Sequence, residues 1–197
     1  FLSEELKRCA RDWLGGERLP DVNLLISQIA KRLDALASWQ VGWVRLGWRI
    51  RHTEVPDDDR TVAWKTDQGT MQIRGRIDRI DYHEATKRWM VFDYKTSDHV
   101  KAPEKTHRAE QGWIDLQLPL YRHIVKLLDI HEPVSLGYIL LPKETEKTKE
   151  YCAKWTDSDL EVADDRIGEV IEAVLAERFW PPTTPAPRVL REFASLC

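Results

Sequence analysis

The strongest constraint on the fold is the segment from residue 49 to residue 95, in which apolar and polar residues alternate with a period of two. Polar turns at 56–59, at Gly69 and at 84–87 interrupt the alternation. Such alternation is typical of β-strands with two unlike faces, and short polar turns are typical of hairpins. The segment therefore predicts consecutive antiparallel strands, of which one runs without a break over 71–83.

Helical periodicity dominates on both sides of these strands. Residues 1–48 predict helices, in which Trp39, Trp43 and Trp48 either form a packing stripe or offer platforms for base stacking; we expect the packing stripe. A helix over 115–128, a buried strand over 134–142 and a long helix over 157–178 follow. This order predicts an α/β fold with a central mixed sheet flanked by helices. We divide the chain into a helical segment packed on the core (1–48), the core (49–180) and a proline-rich tail (181–197).

Composition matters mainly for what it excludes. The apolar stretches are too short to span a bilayer, and no signal-peptide pattern opens the chain. Cys9, Cys152 and Cys197 are too scattered for a disulfide framework or a zinc site, which predicts a cytoplasmic protein. The net charge of −3 is unlike that of a general nucleic-acid coat, but it suits a nucleic-acid enzyme whose carboxylates bind metal. We interpret the chain, which begins at Phe1, as a piece of a longer protein.

Two neighbouring strands bring acidic residues to one place. In the strand over 88–95, alternation puts Asp93 and Lys95 on the same face, roughly 7 Å apart along the strand. In the strand before it, the alternation changes phase after Ile77, which predicts a bulge or kink beside Asp78. Two carboxylates suit Mg²⁺, and a lysine can stabilise charge on a phosphoryl group. A salt bridge at the sheet edge explains the two strands equally well.

A third motif lies on the predicted helix over 115–128, where Gln117 and Tyr121 share one face. Together, the segments GRIDRID, VFDYKT and LQLPLYRH resemble the RecB-like branch of the PD-(D/E)XK nuclease superfamily, and in particular the nuclease domain of AddB-type helicase–nuclease subunits. The motifs of that branch read G-x-I-D, D-Y-K and Q-x-x-x-Y, and all three occur here in that order. The resemblance covers residues 49–180, which makes this part a RecB-like nuclease core.

The resemblance implies a Mg²⁺- or Mn²⁺-dependent DNA nuclease. It implies an exonuclease that cuts single strands and serves DNA repair and recombination as part of a larger helicase–nuclease protein or with such a partner subunit. By the same resemblance, Asp78 and Asp93 bind the metal together with the backbone carbonyl of Tyr94. Glu54 is a possible further acidic residue of the site, although a solvent-facing strand residue has the same pattern.

The resemblance also gives roles to the remaining residues of the motifs. Lys95 orients the attacking water and stabilises the transition state, while Gln117 and Tyr121 hold this lysine or contact the DNA. Separately, segments rich in arginine and lysine predict contacts with DNA, although solvated surfaces explain them as well: Arg74, Arg76, Lys101, Lys105 and Arg108. Three histidines lie in or near predicted loops and are expected at the surface: His83, His99 and His107.

Two features depart from the pattern of that branch. Its members usually carry a metal-ligating histidine upstream of these motifs, but no histidine precedes His52. Many relatives also close the domain with an iron–sulfur motif, where this chain has Arg188 and Arg191 in place of cysteines and only Cys197 matches. A cluster needs four thiolates, so we expect none. These departures leave a second hypothesis open: a catalytically inactive DNA-binding or scaffold domain that retains the nuclease fold.

Overall fold

The structure is a computed structural model, and it describes residues 2–14 and 20–178. Its helices are α1 (Leu2–Leu14), α2 (Pro20–Arg45), α3 (Pro103–His107), α4 (Gln117–Ile124) and α5 (Asp157–Leu175), with 3-10 turns at Val125–Leu128 and Thr145–Lys147. Its strands are β1 (Trp48–Val55), β2 (Val62–Thr66), β3 (Gly69–Ile73), β4 (Ile77–His83), β5 (Arg88–Lys95), β6 (Arg108–Ala109), β7 (Gly112–Trp113), β8 (Val134–Leu140) and β9 (Lys149–Cys152). In the described ranges, no helix has the length and apolar character needed to cross a membrane.

Five strands form the central sheet, in the order β1-β4-β5-β8-β9. β5 and β8 are parallel, and the other neighbours are antiparallel. The pairs β2–β3 and β6–β7 form two small separate ladders. The predicted mixed sheet flanked by helices is therefore confirmed. Because parallel strands need a long crossover, the chain between β5 and β8 carries both α3 and α4.

The predicted continuous strand over 71–83 is wrong. β3 ends three residues before β4 begins, and the two strands belong to different sheets. The chain leaves the β2–β3 hairpin through Gly75, where an added Cβ would come within 2.3 Å of Ile124 Cδ1 on α4. This break accounts for the change of phase. The bulge or kink predicted beside Asp78 is also wrong in position: the chain changes sheet between Ile73 and Ile77, and the irregular pairing lies between Ile50 and His52 of β1.

On one face of the sheet, α2 contributes to an aromatic core. Trp43 stacks on Trp48 with ring centroids 4.9 Å apart, and on Trp39 at 5.3 Å. Phe92 of β5 meets this stack edge-on. Trp43 and Trp48 are buried and Trp39 is half-buried, so the packing interpretation of these tryptophans is confirmed. Aromatic pairs of this kind add to the free energy gained from burying their surface.

On the other face, α4 packs over the sheet, and α5 holds α4 in place. Leu118 and Ile124 of α4 are buried in the same core cluster as the central residues of β4, β5 and β8. Asp164 of α5 lies 2.5 Å from Arg122 Nη2 and 2.8 Å from His123 Nε2, both on α4. Burial acts to raise the pKa of Asp164, but the contacts with His123 and Arg122 outweigh it and lower the pKa. α4 is thus fixed between the sheet and α5.

Candidate active site

The predicted site lies where β5 runs out of the core. β5 is buried from Met90 to Asp93, and its last two residues are half-buried. Asp93 is 4% exposed, whereas the side chain of Lys95 is 28% exposed. Lys95 Nζ lies 2.8 Å from Asp93 Oδ2, so the two form an ion pair along one strand. The strand therefore presents an anion and a cation at the boundary between core and solvent.

Asp78 of β4 lies beside this ion pair. The residue is half-buried, and its Oδ2 accepts a hydrogen bond of 2.8 Å from the backbone N–H of Tyr94. Burial raises the pKa of Asp93; the contact with Lys95 opposes this rise, and the negative charge of Asp78 adds to it. The two carboxylates are thus close enough to repel each other, as two ligands of one metal ion would be before the ion binds.

Gln117, the first residue of α4, connects the strand to the helix. Its side-chain Nε2 donates to Asp93 Oδ1 and to Tyr121 Oη, each at 2.9 Å. Its Oε1 accepts a longer hydrogen bond of 3.4 Å from Lys95 Nζ. Burial, with a contribution from the charge of Asp93, raises the pKa of Tyr121 to about 12, so this phenol is neutral at pH 7.

Five residues predicted from the motifs therefore lie together around one point: Asp78, Asp93, Lys95, Gln117 and Tyr121. Their catalytic roles remain predictions. The cross-strand salt bridge considered as the alternative is not what the structure contains, because Lys95 pairs with an acid of its own strand. An ion pair is nevertheless present, so a structural contribution of Lys95 must be separated from a catalytic one by experiment.

The basic residues predicted to contact DNA have a different arrangement. Arg74 lies 2.7 Å from Asp59, Arg76 lies 3.0 Å from Glu54, and Arg108 lies 2.6 Å from Asp159. Glu54 is exposed near the end of β1 and contacts Arg76, outside the hydrogen-bond network around Gln117. Three of the five predicted cations are therefore already neutralised by acids, and the others, Lys101 and Lys105, are exposed.

A histidine that the sequence predicts at the surface, His107, lies buried beneath the site. The prediction that His107 lies at the surface is wrong, because it is 0% exposed. Its Nδ1 donates to the carbonyl oxygen of Asp115 at 2.9 Å, which leaves Nε2 to accept from the hydroxyl of Tyr138. The Tyr138 ring in turn lies 5.0 Å from Lys95 Nζ, a cation–π distance. The available signal was Tyr138 itself, since a tyrosine in an apolar strand needs a hydrogen-bond partner for its hydroxyl.

Comparison with known proteins identifies the family. The model of the PD-(D/E)XK nuclease superfamily matches residues 1–192. The chain belongs to the PD-(D/E)XK nuclease superfamily. No curated protein matches it significantly. Among the solved structures with significant matches is the crystal structure of SSO0001, with 19% identity and a TM-score of 0.41 over 91% of this chain and 73% of that one.

Members of the PD-(D/E)XK superfamily typically use Mg²⁺ or Mn²⁺, and the residues present here fit such an ion. Asp93 Oδ2 is buried and lies 2.8 Å from Lys95 Nζ, a contact that takes up one of the two lone pairs of this oxygen. This oxygen therefore has capacity left for a cation. Residues 2–14 and 20–178 contain no group of three or more His, Cys, Asp or Glu placed to hold a metal. Two carboxylates are enough for Mg²⁺, which keeps several waters as its other ligands.

Proposed function

We propose that this chain is the nuclease domain of a larger DNA repair and recombination protein, of the RecB-like branch and similar to AddB-type subunits, and that it hydrolyses single-stranded DNA from its ends. The observation that carries the proposal is the connection of Asp93, Lys95, Gln117 and Tyr121 by hydrogen bonds and an ion pair, with Asp78 beside them. Nothing in the packing of α4 alone requires a glutamine that contacts both an acid and a lysine.

Each residue has a role that follows from its position. Asp78 and Asp93, with the carbonyl of Tyr94, would hold the divalent cation, which when bound supplies an activated water and neutralises phosphate charge. Lys95 is partly exposed, and the N–H groups that it does not use toward Asp93 and Gln117 are available to a phosphoryl oxygen. Gln117 fixes the orientation of the Asp93 carboxylate through Oδ1, while Oδ2 contacts Lys95 and keeps a second lone pair for the cation.

Tyr121 supports this arrangement as a neutral phenol. Its raised pKa keeps the hydroxyl protonated across the physiological range, so it can accept from Gln117 and donate to a second group at once. A substrate phosphate is one candidate for that second group. The division into a helical segment (1–48), a nuclease core (49–180) and a tail (181–197) remains part of the proposal, as do a cytoplasmic location and a helicase region or partner subunit.

One observation favours the alternative, an inactive DNA-binding or scaffold domain. The described part of the chain offers the metal only two acidic side chains at this point, without a histidine. Cleavage assays separate the two hypotheses. End-labelled linear single-stranded DNA is incubated with wild type, with Asp93→Asn, and with Asp165→Asn, which removes an exposed acid of α5 far along the chain.

The nuclease hypothesis expects cleavage by wild type and by Asp165→Asn with Mg²⁺ or Mn²⁺, and a loss of about 100-fold or more in Asp93→Asn. Exonuclease action further expects that closed circular single strands stay intact while linear strands are degraded. Cleavage of the circles would make the enzyme an endonuclease. Binding without cleavage by wild type, with either metal, would establish the scaffold hypothesis.

A further inference from the structure

A small basic cleft lies at the edge of the sheet where β5 ends, on the face that α2 covers, whereas the side chains of the candidate active site lie on the face that α4 covers. α2 reaches this edge through Arg32, whose Nη1 donates to the carbonyl oxygen of Thr96 at 3.1 Å. The cleft has a volume of about 150 Å³ and is lined by Gln28, Lys31, Arg32 and Lys143. Thr96 directly follows Lys95, and Lys143 comes shortly after β8, the parallel neighbour of β5. The cleft and the site are therefore formed at the ends of the same two strands.

The charges around the cleft are not balanced. Three cations line it, and the acid in contact with them is Asp98, 3.2 Å from Lys143 Nζ and 3.9 Å from Arg32 Nη2. Asp98 is held by the backbone N–H of Lys143, which lowers its pKa, so it stays ionised at neutral pH and offsets one positive charge. Lys31 is exposed and has no ion pair with any residue that the structure describes. About two positive charges remain for a ligand.

Arg32 has unused hydrogen-bonding capacity. Its Nε is buried and finds no acceptor in the described ranges, and its Nη2 has only the long contact with Asp98. A guanidinium has five N–H donors in a planar fork that fits two oxygens of a phosphate. The hydrogen bond to Thr96 fixes this fork at the edge of the sheet. Arg32 therefore resembles a preorganised phosphate ligand more than a structural arginine whose donors are all used within the protein.

Distance connects this cleft to the candidate site. Adjacent Cα atoms are about 3.8 Å apart, so the Arg32 guanidinium lies within roughly 10 Å of the Lys95 backbone. A nucleic acid strand advances at least about 3.4 Å per nucleotide, which is the axial rise of the duplex form. A strand whose scissile phosphate lies at Lys95 would thus reach the cleft within about three nucleotides.

We propose that Lys31, Arg32 and Lys143 form a subsite for a backbone phosphate of the nucleic acid strand, within about three nucleotides of the phosphate held near Asp93 and Lys95. The inference rests on the proposed nuclease function and adds to it a place where the uncut part of the strand is gripped. Contacts to phosphate carry no sequence information, so the subsite holds strands of any sequence. The subsite contributes to binding only for strands long enough to reach from the candidate active site to the cleft.

The test uses the double variant Lys31→Ala, Lys143→Ala. Arg32 is left in place because it also ties α2 to the end of β5. The matched control is Lys65→Ala, Lys126→Ala, which removes two exposed lysines from β2 and from the turn after α4. Fluorescence anisotropy measures the binding of labelled single strands without divalent metal and at about 50 to 200 mM salt. The strands have about 20 nucleotides, which exceeds the site sizes usual in proteins that bind single-stranded nucleic acid.

The subsite hypothesis expects a several-fold rise in Kd for the Lys31, Lys143 variant. The slope of log Kd against log salt concentration should fall by about 0.7, because one phosphate contact is lost. The control variant and both melting temperatures should match wild type. With metal, the variant should lose kcat/KM on the long strand and keep it on a dinucleotide, whose single phosphodiester is the scissile one. Equal losses in variant and control, or none in either, overturn the subsite while the nuclease function stands. A wild type that neither binds nor cuts overturns both.

Discussion

Replacement of Lys95 by methionine separates its structural contribution from its chemical one. The substitution keeps the aliphatic stem and removes the charge that lies 2.8 Å from Asp93 Oδ2. Removal of one partner from a fully buried ion pair costs about 3–5 kcal/mol, because the other charge stays buried without compensation. Here the side chain of Lys95 is 28% exposed, and Gln117 still donates to Asp93 Oδ1. Water and the Gln117 amide therefore compensate part of the stabilisation that the Asp93 charge loses. We expect a loss of about 1–3 kcal/mol in the free energy of unfolding at pH 7.

The dependence on pH follows from Asp93. Burial raises its pKa in the folded protein and Lys95 opposes that rise, so Lys95→Met raises the pKa further. An acid with a raised pKa binds its proton more tightly in the folded than in the unfolded state, and stability is then lost as the pH rises through the folded pKa. The difference between wild type and Lys95→Met should therefore be largest near neutral pH. It should shrink as the pH falls through the pKa of Asp93 in the variant, below which this acid is protonated.

A double-mutant cycle with Asp93→Asn measures the pair itself. In the Asp93→Asn background the ion-pair partner of Lys95 is no longer charged, so Lys95→Met should cost less than about 1 kcal/mol. The measurement is urea unfolding followed by circular dichroism at several pH values, with cleavage of single-stranded DNA assayed on the same preparations. An equal cost of Lys95→Met in both backgrounds would falsify the ion-pair reasoning. Cleavage by Lys95→Met at the wild-type rate would remove Lys95 from the catalytic residues, whatever its effect on stability.

Three further predictions concern the metal, the anchoring of α4 and the tail. Mn²⁺ soaked into crystals should give an anomalous peak within about 2.5 Å of the carboxylates of Asp78 and Asp93, and a map without such a peak would count against the metal site. Asp164→Asn should lower the free energy of unfolding by about 1–2 kcal/mol at pH 7. Because the pKa of Asp164 is lowered in the folded protein, its contribution to stability is present above its unfolded pKa and fades as the pH falls through its folded pKa. A loss of stability in Asp164→Asn that persists unchanged in acid would point to packing instead. The purified protein should be colourless and fold without iron, and stoichiometric iron and sulfide would show that the alignment of the tail with the iron–sulfur motif is wrong.

The sequence was most informative where one local rule applied without interference. Alternation along β5 placed Asp93 and Lys95 on one face, and the spacing of Gln117 and Tyr121 placed them on one side of α4; the structure has both arrangements. The same rule failed over 71–83, because the apolar pattern continues through Gly75 while the chain moves from one sheet to another. Alternation reports which face a residue occupies, but it contains no information on which sheet the residue joins.

Other features depended on contacts between distant segments, which no local pattern records. His107 is buried because its short helix packs below Tyr138 and Trp155, which follow 31 and 48 residues later, so its polar surroundings in sequence were misleading. Arg32 reaches Thr96 across a separation of 64 residues, and the sequence gives no indication of that contact. The basic residues singled out from their local density are largely paired with acids, whereas those around the cleft are spread over two distant segments.

The parallel pairing of β5 with β8 has a consequence for folding kinetics. β5 pairs with β4 across a short hairpin turn, but its other partner begins only at Val134, after the entire crossover with α3 and α4. Contacts of high sequence separation form slowly, because the entropy of closing the intervening loop is lost before the contact stabilises the chain. A nascent chain that ends before Val134 therefore contains the residues of all three motifs, but β5 has an open edge and Tyr138 is not yet present beneath Lys95. We expect the centre to assemble in one late step, so that unfinished chains are inert toward DNA.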